Sequence, residues 1–293
     1  MSKKKVYDLS KWNTVTNYDA IAREVDGVII RCGFRGNSTG KLTMDSTYIE
    51  KITELNKRNV PVGIYFFTTA ITEFEAREEA TFAIKLAENL GIKLSFPVIV
   101  DSEYCNTAHN GRSDKLTKLQ RTNILLAFID QCHSMGYEAA IYSSDAWFVQ
   151  KLDYNKIKDV KKWVARYGSR PSKATDNMIG WQKTSESTSN GIKGRVDENE
   201  WYVDIDKSAS VYTSTVTEEI VVEKTFNEGQ EIKLENCPLY SSSATNKVAK
   251  KISGTYYIWS AKKILGRIRI TTSDKNVGNA AKITGWISID DIK

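Results

Sequence analysis

Asp101 and Glu103 stand two residues apart, directly behind the apolar run "FPVIV", in the stretch "PVIVDSEY". Residues i and i+2 of an extended chain project to the same side, so both carboxyls can enter one pocket. Two carboxyls that close do not ionise together, and one keeps its proton near neutral pH. A carboxylic acid held protonated is the group that a glycosidase uses to protonate a leaving oxygen. Asp8 ends "KVYD", Asp197 ends "GRVD" and Arg31 ends "GVIIR", each behind its own apolar run. A single acid in such a place more often caps a helix or faces water. Four of them, with an arginine and many aromatics nearby, favour a shared site. Clustered carboxylates also bind magnesium or calcium. No calcium-loop spacing is present, and neither a metal nor a cofactor is expected.

The elements that would carry these residues alternate up to about residue 205. Short β-branched or aromatic runs lie at 5–9, 27–34, 60–68, 96–101, 138–144, 162–167, 178–183 and 194–199. Helical stretches separate the early ones. "NYDAIAREV" opens on Asn17 as a cap, and two long helices end at Gly91 and Gly136. The last three runs are joined by shorter segments without a helical period. Strand–helix alternation implies a parallel sheet with right-handed crossovers. Eight strands in about 200 residues predict an α/β fold, a β/α barrel with reduced later helices; an open doubly wound sheet is the alternative. In such a barrel the chemistry sits at the C-terminal strand ends, where the acids fall.

Residues 207–217 read as a Ser/Thr/Val-rich linker. Beyond it, short strands broken by Gly, Asn and Ser predict a small all-β domain over 218–293. The expected division is therefore a catalytic domain over 1–206, the linker, and the β domain.

The chain has 293 residues, 41% of them hydrophobic, and a net charge of +6. That is enough for a packed core and too weakly basic to argue for nucleic acid without a motif. No run approaches the ~18 apolar residues of a membrane span, so no membrane insertion is expected. The basic start "MSKKK" has no apolar stretch of a secretory signal behind it. The expectation is synthesis in the cytoplasm, with some other route of release if the protein works outside. Cys32, Cys105, Cys132 and Cys237 show no repeated spacing and read as buried or idle thiols. A zinc set of Cys105, His109, Cys132 and His133 is disfavoured, because the adjacent Cys132 and His133 do not easily point at one ion. "GNSTG" at 36–40 matches a nucleophile elbow in letters only, since neither a strand directly before the serine nor a helix directly after it is predicted.

The ordered stretches "DLSKWN", "VIIRCGF", "GIYFF", "PVIVDSE", "IYSS", "WVARY", "GWQKT" and "VDENEW" resemble glycoside hydrolase family 25, the muramidases of phages and bacteria. The resemblance covers residues 5–206. It implies cleavage of the β-1,4 bond between N-acetylmuramic acid and N-acetylglucosamine in peptidoglycan. Carried over by position, it implies Glu103 as general acid. Asp101 would be nucleophile or would orient the substrate's acetamido group, and Asp8 and Asp197 would stabilise the charged centre. Arg31, Tyr65, Tyr142, Trp163, Tyr167, Trp181 and Gln182 lie at or near strand ends as candidate substrate-binding residues. Arg31 would bind a site Asp or an acidic substrate group, or make a structural ion pair. Trp163 reads equally as core and as site. One departure concerns the third strand, which in the family often ends Tyr-His-Phe. Phe66 stands where that His would be, so no role transfers to it.

The C-terminal stretches "YYIWSA", "GRIRIT" and "GWISIDDI" resemble bacterial SH3-like wall-binding domains. Tyr256, Tyr257, Trp259 and Trp286 would line a wall-binding groove, with about half of them expected in a small barrel core instead. Residues 218–293 hold twelve Lys and Arg against nine Asp and Glu. The expected protein is a peptidoglycan hydrolase, in the setting of a phage endolysin; a bacterial autolysin stays open. A non-catalytic wall-binding protein is the competing class. A chitinase is the competing enzyme, but its longer acid series lacks its two upstream members in the stretch from Val98 to Glu103.

Overall fold

The computed structural model describes residues 3–206, 226–243, 248–264 and 267–292. In chain order the first part forms β1 (Lys4–Leu9), β2 (Thr14–Val15), α1 (Tyr18–Glu24), β3 (Gly27–Arg35), β4 (Leu42–Met44), α2 (Tyr48–Asn56), β5 (Val62–Phe67), α3 (Glu73–Glu88), β6 (Val98–Asp101), α4 (Lys118–Ser134), β7 (Ala139–Ser144), α5 (Asp145–Gln150), β8 (Lys161–Ala165), β9 (Met178–Ser189) and β10 (Ile192–Trp201). Every run read as a strand up to residue 199 is one. The strands close in the order β1-β3-β5-β6-β7-β8-β9-β10 and back to β1. α1 to α4 cross between the early strands, and only the six-residue α5 and one 3-10 turn join β7 to β8. This is a closed eight-stranded barrel with reduced later helices, not an open sheet.

One expectation needs correcting. The sheet is parallel from β1 through β9, but β10 runs antiparallel to both β9 and β1. The chain returns from β9 through Asn190 and Gly191, and an Asn-Gly pair between two strands favours a hairpin over a crossover. Asp197 therefore does not end its strand. It reaches the rim in mid-strand, directly opposite Asp8.

The early strands are apolar on both faces because both are covered. Val28, Ile30 and Cys32 of β3 face outward to the layer shared with the helices, as do Ile64, Phe66, Val98, Val100 and Ile141. Ile29 of β3 points inward with Val6, Ile99, Ala140, Trp163 and Trp201. Phe66 is fully buried in the outer layer, edge-on to Phe82 at 6.1 Å. The residue at the family's His position thus faces away from the barrel interior. Phe96 and Trp201 pack edge-to-face at 5.2 Å at the N-terminal end of the barrel. A Cβ on Gly63 would lie 2.7 Å from the Phe96 side chain, and one on Gly180 2.3 Å from the Trp201 ring, so both strands need glycine there.

The helices start and stop where their residues dictate. Asn17, Thr72 and Thr117 each accept a backbone N–H of the first turn, the last in a reciprocal capping box with Gln120. Gly91 and Gly136 leave α3 and α4 with φ of 63° and 84°. Residues 36–40 form a polar loop between β3 and β4, with no helix after Ser38. The four cysteines are unpaired, and all but Cys105 are buried. Among the described residues no helix is long and apolar enough to cross a membrane.

The chain divides into two compact units, Met1–Thr215 and Val216–Lys293. The linker expected at 207–217 lies outside the described residues. In the second unit β11 (Glu231–Tyr240), β12 (Val248–Ile264), β13 (Arg267–Thr271) and β14 (Gly285–Ser288) form a small closed antiparallel barrel. Ile232, Leu234, Ile258, Ile268, Ile270 and Ile287 fill its core. Tyr256 packs against that core. Trp286 is 8% exposed and offers little free surface. Tyr257 and Trp259 are half-buried. Arg269 lies over both Trp259 and Trp286, at 5.3 and 4.6 Å from the ring centroids.

Candidate active site

The site begins where the inner core turns polar. Val6 and Asp8 point inward from β1, Ile29 and Arg31 from β3, and Ile99 and Asp101 from β6, each pair two residues apart. The lower members belong to the inner core, and the upper members meet at the rim. Asp8 lies opposite Asp197, and Asp101 opposite Tyr142.

Asp8 is 6% exposed. Its Oδ2 accepts from Gln182 Nε2 at 3.1 Å and from Asn199 Nδ2 at 2.9 Å. Burial, then the neighbouring Asp197, pushes it up to about 8 despite those two donors. Asp197 is half-buried, and burial raises it to about 6. Asp101 is 3% exposed and pushed well above the carboxylate range, by burial first and Glu103 second. Arg31 acts against that rise.

β6 ends at Asp101, and Ser102 turns the chain outward. Ser102 is buried, with its carbonyl held by Ser143 Oγ at 2.6 Å and its N–H donating to the Tyr142 carbonyl at 3.1 Å. Glu103 is thereby presented at the mouth, the most open of the four acids. Its carboxyl is within hydrogen-bonding reach of Asp101. Although Glu103 shows surface to water, the walls around its carboxyl raise it, and Asp197 adds to the rise. The contact raises Asp101 and works against the rise of Glu103. Asp101 Oδ1 is buried with no hydrogen-bond partner in the protein.

The candidate binding residues divide into three groups. Tyr142 and Tyr167 both donate to Gln182 Oε1, at 2.8 and 3.0 Å, and Gln182 in turn donates to Asp8. Gln182 is only 3% exposed and acts as a hub that orients Asp8. Tyr65 lies against the inner core, held well above its ordinary value by burial and by Asp8. Trp163, read equally as core and site, is core. It is 1% exposed, packs on Tyr142 at 4.4 Å, and donates from Nε1 to Asn199 Oδ1 at 2.7 Å. Trp181 precedes the inward Gln182 and faces the other way, donating to the Arg166 carbonyl at 2.8 Å. Arg31 has its carboxylate inside the protein: its Nε and Nη2 both lie 2.7 Å from Asp45 Oδ2. That is the structural ion pair.

Asn199 and Asp45 were not foreseen. Asn199 is fully buried on β10 and joins Trp163, the Val6 carbonyl and Asp8. It stands two residues after Asp197, so the i, i+2 rule that linked Asp101 to Glu103 would have found it. Asp45 also accepts from Lys11 N and Thr47 N, at 3.1 and 3.0 Å, and so anchors the loop after β1. That loop carries Trp12, 77% exposed.

From Glu103 a cleft of about 520 Å³ runs outward between Tyr104, Tyr142, Trp147 and Tyr167. Aromatic faces beside a protonated acid suit a polymer of sugar rings. Among the described residues no cluster of His, Cys, Asp and Glu has the arrangement of a metal site.

Comparison with known proteins agrees with this geometry. The sequence profile of "Glycosyl hydrolases family 25" matches residues 7–192. No curated protein matches the chain. Among solved structures, the modular autolysin LytC from Streptococcus pneumoniae, in complex with synthetic peptidoglycan ligand, is 28% identical with a TM-score of 0.61. The match covers 68% of this chain and 47% of LytC, so the chain spans about half the length of that protein. The spore cortex lytic enzyme SleM from Clostridium perfringens is 16% identical, with a TM-score of 0.59, over 98% of this chain and 84% of its own. The catalytic domain of endolysin ply40, from bacteriophage P40 of Listeria monocytogenes, is 24% identical, with a TM-score of 0.56, over 71% of this chain and 98% of its own. The last two likenesses are of fold. With the profile spanning most of the barrel, the chain belongs to glycosyl hydrolase family 25.

Proposed function

We propose that this protein cleaves the β-1,4 bond between N-acetylmuramic acid and N-acetylglucosamine in bacterial peptidoglycan. The observation that carries the reading is the meeting of four acids at one rim, with the exposed one in contact with a buried neighbour. Glu103 gives its proton to the glycosidic oxygen as the C–O bond breaks. Asp101, buried and in contact with Glu103, keeps that proton available. It is too close to Glu103 to stand across the bond as the second member of a pair some 5 Å or more apart. Asp197 and Asp8 face the positive charge that develops on the sugar. The second carboxylate function then falls to them or to the substrate's own acetamido oxygen. Water supplies the hydroxyl that ends on the sugar, and its proton restores the acid.

The test is mass spectrometry of fragments released from purified walls. N-acetylmuramic acid at the new reducing end is expected. Fragments ending in N-acetylglucosamine, or peptides alone, would overturn the assignment.

The setting we favour is a phage endolysin, made in the cytoplasm and acting on the wall after release. A bacterial autolysin is the second reading, supported by the higher identity to LytC. The C-terminal barrel is assigned as an SH3-like wall-binding module, with Tyr257 and Trp259 as its open aromatics. Its excess of three positive charges suits an anionic wall. A weak tether raises the local concentration of the catalytic unit on an insoluble polymer. Removing residues 216–293 should leave the rate on soluble glycan fragments within about twofold and weaken wall binding by about a hundredfold. Co-sedimentation with purified walls measures this, and unchanged sedimentation would refute the tether.

A further inference from the structure

The cleft is chemically mixed. Glu103 lines it, and so do the cations Arg166 and Lys173. The cations there are not equivalent. Asp145, 4% exposed, accepts the backbone N–H groups of Ser172, Lys173 and Ala174 at 2.9–3.1 Å and pairs with Arg166 at 3.2 Å. Asp145 thus fixes the backbone of the lip and neutralises Arg166. The Lys173 ammonium makes no ion pair among the described residues, although its backbone is pinned. A second ammonium, Lys151, lies 5.4 Å from the ring of Tyr104 in the cleft wall. Trp147, also in the wall and 6% exposed, has a buried indole N–H with no hydrogen-bond partner. A cleft whose lining combines a proton donor with an uncompensated cation suits a substrate with an anionic branch.

We propose that the arm of the cleft bounded by Trp147, Tyr167 and Lys173 binds a carboxylate of the peptide side arm carried by the glycan, so that Lys173 selects peptide-bearing strands over bare ones. This rests on the peptidoglycan reading above. Lys173 is exposed and its fold-bearing bond comes from its backbone, so a side-chain change there leaves the lip in place.

The experiment uses the full chain and two substrates, glycan strands with intact side arms and the same strands stripped by an amidase, with the lactyl carboxylates so freed converted to amides. The parental protein should prefer the first about tenfold in kcat/KM. Lys173→Glu should bring that ratio close to one by raising KM on peptide-bearing strands, with the rate on stripped strands unchanged. Lys173→Arg should restore the preference. A parental ratio in Lys173→Glu, or equal loss on both substrates, would overturn the proposal. Calorimetry with the amidase-released peptide reads the same subsite without catalysis, and binding that Lys173→Glu leaves unaltered would also overturn it. A parental protein that binds the peptide but cuts neither strand would instead refute the muramidase reading alone.

Discussion

Glu103→Gln should lower the release of reducing ends from purified walls by about a thousandfold, within the range for a lost general acid. The amide keeps the size of the side chain and a hydrogen bond to Asp101. It has no proton to give. None of the other three acids takes over. Asp8 and Asp101 are buried, at 6% and 3% exposed, and Asp197 arrives on the opposite strand beside Asp8. The parental rate should fall as pH rises through the elevated range of Glu103, because the deprotonated acid cannot assist the leaving oxygen. Folding should not suffer, since Glu103 supports no packing and the substitution removes a carboxylate that its surroundings disfavour. Wall lysis at the parental rate by a well-folded Glu103→Gln protein would remove Glu103 from the mechanism.

Asp8→Asn should act in opposite directions on activity and stability. The Asn oxygen still accepts from Gln182 and Asn199, so the geometry survives, while the capacity to ionise as positive charge develops on the sugar is lost. A fall in turnover of about a hundredfold is expected. The sign of the stability effect follows from the raised pKa. Asp8 moves from 3.8 to about 8 on folding, so the folded state holds the proton more tightly. Stability from this group is complete below about pH 4 and is lost as pH rises towards 8. Asn carries no such loss. Above pH 7 the variant should be more stable by about 2 kcal/mol, or roughly 5 °C in unfolding temperature, and indistinguishable at pH 4. Melting curves across pH 4–8 check this. A variant less stable at pH 8 than the parent would show that Asp8 is held ionised.

The acids of β1 and β6 were legible because each ends an apolar run that the barrel buries on both faces. The pairing of Asp101 with Glu103 needed only the two-residue repeat of a strand. Asp197 was found by a wrong argument, as the end of a parallel strand, when it sits in the middle of an antiparallel one. The Asn190–Gly191 pair is the local signal of that hairpin. Trp163 and Trp181 could not be placed from sequence, because an aromatic at a strand end fits core, outer face or site equally well. Only the register, which makes Gln182 the inward residue, separates them. Asp45 and the role of Gln182 depend on partners farther away in the chain, such as the 174 residues between Asp8 and Gln182. No local pattern encodes such a pairing.

The antiparallel closing strand also sets the order in which the molecule can become active. β10 pairs with β1 across nearly two hundred residues, Lys4 against Trp201 and Asp8 against Asp197. Pairings of such long range are slow to form, because the loop must be closed before the contact repays it. Every earlier strand can lie beside its neighbour without completing the acid set. Asp197 and the Asn199 that orients Asp8 arrive together, on the last strand to dock. Catalytic competence is thus tied to the final step of assembly: a nascent or partly unfolded chain holds Glu103 but not the charges opposite it, and recovery of activity during refolding would follow barrel closure itself.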